Sequence, residues 1–194
     1  MYNILISNSN IPTGQKKWNN TLPQPITNEQ WQAIYKLPFK TLTDPNLKWI
    51  QYRINHHVLV TNKFLHKIGL IDSNTCTFCK SEPETITHLM WDCISTQSLI
   101  IQFTQHCERN NKTITVDKLT FLFGLFSSES VAENNILTVL KQYLYRMRCL
   151  KNMPSLNALL FDLSRLLLAT DLIYRKNNKY NSFLHLWGEW LFLK

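Results

Sequence analysis

The sequence predicts a mainly α fold, a helical bundle that carries a small Cys3His zinc knuckle. Three observations lead there. Apolar residues recur at three- and four-residue spacing through most of the chain, the period of an amphipathic helix. Only four glycines occur in 194 residues, too few for a sheet-rich fold with many tight turns. Cysteines and a histidine gather in one short polar stretch, CTFCKSEPETITHLMWDC, broken by Pro83.

The chain reads as four segments. Residues 1–25 carry Pro12, Pro23, Pro25 and several asparagines with little periodicity, and are expected to be a tail or connector, its start an interior cut of a longer polypeptide. Residues 26–71 are a basic helical segment, 72–93 the knuckle, and 94–194 a C-terminal helical region. Within 26–71, Thr27 with Gln30 has the pattern of a capping box, Ile26 and Trp31 suit a hydrophobic staple, and Pro38 is expected to end the first helix. Asp44 and Pro45 open a second helix, whose apolar stripe is Leu47, Ile50 and Ile54 with Val58 a candidate extension. A third short helix spans about 61–67, with Gly69 as a left-handed cap and Phe64, Leu65 and Ile68 facing inward.

After the knuckle, residues 94–107 read as helix, and TFLFGLF suits either a strand or a helix. Ser130 and Glu133 form a second capping-box pattern, ahead of a helix reaching about Lys151 with Ile136, Leu140, Tyr143, Met147 and Leu150 on one face. Pro154 and Ser155 then start a helix to about Tyr174, on which Leu156, Leu159, Leu160, Leu163, Leu167 and Ile173 repeat at helical spacing. A last amphipathic stretch holds Phe183, Leu184, Trp187, Trp190 and Leu191. These stripes read first as core packing.

Charge divides the chain in the same way. The net charge is +8. Residues 1–71 hold eight Lys/Arg against Glu29 and Asp44, a net +6; residues 72–93 hold Lys80 against four acids, a net −3; the remainder is +5. A basic balance points to polyanionic partners, with a solvated surface as the plain alternative. The opening MYNILISNSN lacks the basic flank and apolar run of a secretory signal. The most apolar window, LLFDLSRLLLATDLIY, is interrupted by Asp162, Arg165 and Asp171, so no membrane partner is expected and an intracellular setting is.

Cys76, Cys79, His88 and Cys93 are spaced C-x2-C-x8-H-x4-C. In an unsecreted chain such spacing favours a metal over disulfides. Three thiolates and one imidazole suit one structural Zn2+ with no open coordination position, which argues against a zinc hydrolase. Cys76 and Cys79 would form a tight turn, and ETITHLMWDC reads as one helix starting near Glu84 or Thr85 that presents His88 and ends at Cys93. A rival set exchanges one ligand for His106 or Cys107, which fall on a different helix; Cys149 reads as a free cysteine.

Three thiolates on Zn2+ leave about −1, added to an already acidic segment. The knuckle is therefore a poor phosphate contact. The preceding helices are better: Lys48, Arg53, His56, His57, Lys63 and Lys67 for backbone contact, with Tyr52 for stacking. The RMR of Arg146–Arg148 and the RKNNK of Arg175–Lys179 are weaker basic patches, and all of these residues are equally compatible with an exposed helix face.

The stretch QYRINHHVLVTNKFLHKIGLIDSNTCTFCKSEPETITHLMWDC resembles the zinc-binding region at the C-terminal end of reverse transcriptases from LINE-type (non-long-terminal-repeat) retrotransposons. The likeness is strongest over 49–93 and continues more loosely across most of 27–190. It implies that Cys76, Cys79, His88 and Cys93 hold the zinc, that the region follows a polymerase domain, and that it contacts element RNA or target DNA during target-primed reverse transcription. It also implies a nuclear or cytoplasmic ribonucleoprotein setting. The chain has no Asp-Asp pair of a polymerase site and no Pro-Asp of a restriction-like nuclease. The sequence thus predicts a non-catalytic accessory region that binds RNA or DNA. The alternative is a structural module, in which Trp187 and Trp190 dock the upstream polymerase or another partner.

Overall fold

The computed structural model describes residues 11–126 and 130–194. In chain order its helices are α1 (Thr13–Thr21), α2 (Asn28–Thr41), α3 (Pro45–Asn55), α4 (Asn62–Lys67), a π-turn at His88–Asp92, α5 (Ile94–Arg109), α6 (Lys118–Phe123), α7 (Val131–Leu150), α8 (Leu156–Lys176), α9 (Tyr180–Trp187) and a closing 3-10 turn at Gly188–Leu193. Among the described residues there is no strand, only an isolated antiparallel bridge between Thr75 and Pro83.

Capping side chains set the starts of α2, α3, α6 and α8. At α2 the Gln30 N–H donates to Thr27 Oγ1 at 3.3 Å, and the Thr27 N–H donates back to Gln30 Oε1 at 2.8 Å. At α3 the Asn46 N–H donates to Asp44 Oδ1 at 2.7 Å, with Pro45 in the first turn where its missing N–H costs nothing. Ser155 accepts from the Ala158 N–H at the start of α8. The TFLF half of TFLFGLF is helix and the GLF half is not: Asp117 and Thr120 form a capping box for α6, which is capped by Gly124 with φ +95°.

Four expectations are corrected. The segment assigned as tail or connector contains α1, whose Trp18 is fully buried and donates its indole N–H to the Ile54 carbonyl at 2.9 Å; residues 1–10 of that assignment lie outside the described residues. Pro38 does not end α2. It lacks the N–H that would bond the Ile34 carbonyl, and the Asn55 side-chain amide donates to that carbonyl instead, at 3.2 Å, so the helix continues to Thr41. The Ser130–Glu133 box does not form, because Ser130 makes no side-chain cap bond and the Glu133 carboxylate lies 3.6 Å from Lys112 Nζ. On α4, Phe64 and Ile68 are half exposed rather than inward, since this six-residue helix is held by its first turn and not by an apolar face.

The centre of the fold is α7, which packs on α2, α3, α8, α9 and the π-turn. Every residue from Asn134 to Lys141 is buried, so its polar members need partners. Asn134 grips the Leu125 backbone through both its amide oxygen and its amide nitrogen, at 2.8 Å each. Asn135 donates to the Thr41 carbonyl at 2.8 Å. Lys141 donates to Gln51, whose amide also bonds Asn55 and the Leu122 carbonyl. These side chains fasten the end of α2, the body of α3 and the end of α6 to the central helix. At the C-terminal end Phe183, Trp187 and Trp190 are buried, so the two tryptophans fill the core and are not surfaces for a partner. Leu150 and Ile173, at the ends of their stripes, are more than half exposed. No helix among the described residues is long and apolar enough to cross a membrane.

Candidate metal centre and basic surface

Residues 74–84 fold back as a short hairpin. The Cys76 N–H donates to the Glu82 carbonyl at 2.7 Å and the Glu84 N–H to the Asn74 carbonyl at 2.8 Å. The Cys76–Cys79 turn closes with the Lys80 N–H on the Cys76 carbonyl, and Lys80 itself takes a left-handed φ of 60°. Helix then begins at Ile86, capped by Thr85, whose hydroxyl accepts the His88 N–H at 2.9 Å. It does not run on as α-helix. It widens into the π-turn, closed by the Cys93 N–H on the His88 carbonyl at 2.8 Å.

That widening is what makes the ligand set. On a regular helix, residues five apart point about 140° away from each other. The i→i+5 closure turns His88 and Cys93 toward one side. The carbonyls loosened by the change are satisfied by side chains of the next helix: Thr96 donates to Leu89 O at 2.8 Å and Gln97 to Trp91 O at 2.7 Å. Cys93 adopts an extended conformation and serves as the N-cap residue of α5.

The ligand atoms of Cys76, Cys79, His88 and Cys93 all lie within 4.8 Å of one another. Cys76 Sγ is 3.8 Å from Cys93 Sγ, and Cys79 Sγ is 3.3 Å from His88 Nε2. Tetrahedral zinc with bonds of about 2.3 Å to sulfur and 2.0 Å to nitrogen places sulfurs about 3.8 Å apart and sulfur about 3.5 Å from nitrogen. The four residues fit one zinc ion. Cys76 and Cys93 are fully buried, His88 is 9% exposed and Cys79 is half-buried. The Cys76 thiol donates toward Cys93, which together with burial raises Cys76. The same bond, opposed by burial but aided by the Ser95 and Thr96 N–H groups at the start of α5, lowers Cys93 to about 4. Burial opposes charge at Cys79, but the Ser81 hydroxyl and the N–H groups of Ser81 and Glu82 bring it down to about 7. Both environments favour the thiolates that a zinc ion requires. Cys107, in the rival ligand set, is buried away from this cluster and pushed up to about 12 by burial.

Residues 13–99 match the family model described as zinc-binding in reverse transcriptase. No curated protein matches the chain. The matched stretch begins with α1 and ends inside α5, so it takes in the helix that the sequence reading assigned to a connector, along with all four ligands.

One residue behind the zinc-binding stretch was missed by sequence reading. Glu84 is fully buried. One carboxylate oxygen accepts from the Asn62 N–H and the Arg148 guanidinium, at 2.8 Å each, and the other accepts from the Thr77 N–H at 2.8 Å. Arg148 also donates to the Asn62 side chain at 2.7 Å. Glu84 thus ties the cysteine turn to the first turn of α4 and to the end of α7. The only sequence signal was an acid next to the proline of the knuckle.

The basic residues separate into paired and unpaired sets. Arg146 bonds Asp162 at 2.5 Å and Arg148 is tied to Glu84, so the first secondary patch is neutralised; in the second, Arg175 bonds Asp171 at 2.6 Å while Lys176 and Lys179 form no ion pair among the described residues. Lys48, Arg53, Lys63 and Lys67 form no ion pair among the described residues, and neither does Lys17 of α1. Tyr52 is 43% exposed and stacks on the 54%-exposed Trp49 at 5.3 Å with an interplanar angle of 4°. Arg53 covers Trp49 at 5.0 Å. Trp49 was overlooked, although its position three residues before Tyr52 on a helix makes the two neighbours. His56 lies between Tyr35 and Tyr52, and His57 meets the edge of Trp18 at 4.8 Å. Burial lowers the pKa of both, so each acts as a neutral ring rather than a cation.

Proposed function

We propose that this chain binds nucleic acid without catalysis, as an accessory region of a LINE-type reverse transcriptase that engages RNA template or target DNA. The observation that carries the reading is the unpaired Arg53 of α3 lying over the exposed Trp49–Tyr52 stack, with Lys48 on the same helix and Lys63 and Lys67 unpaired on α4. Cations supply backbone contact, and a flat aromatic pair accepts unstacked bases. The zinc ion, when bound, holds the hairpin and the π-turn; its ligands leave no position for a reacting molecule. Phosphates meet the helices ahead of the knuckle and not the acidic knuckle itself.

Salt-titrated binding of labelled RNA and single-stranded DNA to the zinc-loaded chain tests this. Affinity falls steeply with salt, and charge reversal at Lys48, Arg53, Lys63 or Lys67 lowers both the affinity and the salt slope. Absence of binding at low salt by folded, zinc-loaded protein overturns it. A docking role has its own supporting observation: Phe161, Leu168 and Leu172 form an exposed apolar row on α8, a face suited to an upstream polymerase domain. Association with that domain in the absence of nucleic acid favours that role.

A further inference from the structure

A cavity of about 380 Å³ opens where α1, the loop after α3, α4 and the start of the zinc-ligand helix meet. Its rim carries Lys17, Lys63 and Lys67. Val58, Phe64 and Ile86 supply apolar walls, and no acid among the described residues lines it. The three lysines are exposed and make no ion pair among the described residues. Val58 and Phe64 are each about half exposed, so apolar surface lies directly beside the three cations.

From this cavity we infer a site for one unstacked nucleotide: the base enters the apolar recess against Phe64, and its flanking phosphates lie on the lysines. The inference rests on the nucleic-acid reading above and deepens it. The volume sits at the small end of the range of about 300–1,000 Å³ for ligand pockets, which suits one nucleotide rather than a helical segment. A base inside a duplex is stacked and paired and does not reach such a recess, so the site selects single-stranded or extruded nucleotides. The exposed faces of Phe64 and Val58 are then the binding surface. One wall, Ile86 and Thr87, immediately precedes the ligand His88, so the metal fixes the shape of the pocket through the same turn of helix.

The test compares the zinc-loaded full chain with short labelled oligouridine and oligothymidine, the same strands with abasic positions, and a duplex of equal length, by fluorescence anisotropy. The single strands bind more tightly than the duplex or the abasic strands. Phe64→Ala weakens single-strand binding about tenfold or more, in line with the loss of one stacked base. Val58→Trp, which fills the recess from an exposed position, does the same, whereas Lys63→Glu and Lys67→Glu weaken all polymers. If the duplex and abasic strands bind as well as the intact single strand, or if both Phe64→Ala and Val58→Trp leave binding unchanged, the pocket assignment falls while the basic surface stands. If no nucleic acid binds at all, both fall. Displacement of the strands by an acidic, aromatic-bearing peptide that binds more tightly assigns the recess to a protein and overturns the inference.

Discussion

The Glu84 carboxylate and the Arg148 guanidinium meet at 2.8 Å, 64 positions apart in the chain and almost entirely out of contact with water. Breaking a buried pair by removing one partner costs about 3–5 kcal/mol, because the other charge is left behind. Arg148→Ala and Glu84→Ala each destabilise the fold by that order in chemical denaturation. Glu84→Ala also frees the Thr77 N–H inside the cysteine turn, so zinc competition with a chelator shows weaker metal retention. The double variant costs less than the sum of the singles.

Chelation melts the knuckle rather than emptying a rigid cup. Zinc binding contributes roughly 10–16 kcal/mol at comparable sites and is coupled to folding. The expected outcome of metal analysis is one zinc per chain, lost in Cys93→Ser. Amide exchange in the chelated protein accelerates over residues 74–93 first. Because the ligands must lose protons to bind, retention weakens as the pH is lowered.

Lys141 gives the fold a distinct pH signature. Burial lowers it to about 7, against about 10.4 in an unfolded chain. Above about pH 10 both states are neutral and there is no penalty. As the pH falls from there to about 7, the unfolded chain takes up the proton first, so the fold loses stability; below about 7 the penalty is constant. Stability therefore rises with pH between about 7 and 10. Lys141→Met removes that rise, and denaturation midpoints of the two proteins across this window, taken as a difference, report it.

Gly124→Ala is destabilising on two grounds. The residue has φ +95°, and an added Cβ would lie 2.5 Å from Leu37 Cδ2 and 2.6 Å from Asn134 Oδ1. Asn134 cannot retreat without releasing the Leu125 backbone it holds. A loss of about 1–3 kcal/mol is expected for such crowding, read as a lower thermal midpoint.

Much of this was legible in the sequence, for identifiable reasons. The caps at Thr27, Asp44 and Ser155 are local chemistry, and local chemistry survives folding. The spacing of Cys76, Cys79, His88 and Cys93 showed the cluster, but not that a π-turn had to align its last two members, since periodicity carries no signal for one widened turn. Pro38 misled because its helix is rescued by Asn55, a partner remote in sequence. Helix α1 was hidden by its asparagines and low hydrophobicity; what holds it is the single buried Trp18 and its bond to α3. Glu84 was counted with the acids of a polar hairpin, and nothing near it reveals that Arg148 arrives from α7.

The tie between Glu84 and Arg148 also bears on how the chain can be divided. The stretch recognisable as zinc-binding in reverse transcriptase ends at residue 99, yet the cation that neutralises its buried acid lies in a helix beginning at Val131. A fragment cut at the edge of the recognisable stretch would keep every metal ligand and lose the counter-charge. The smallest autonomous piece of this protein is therefore larger than its motif, and a fragment should extend beyond Arg148 if the knuckle is to keep its native stability.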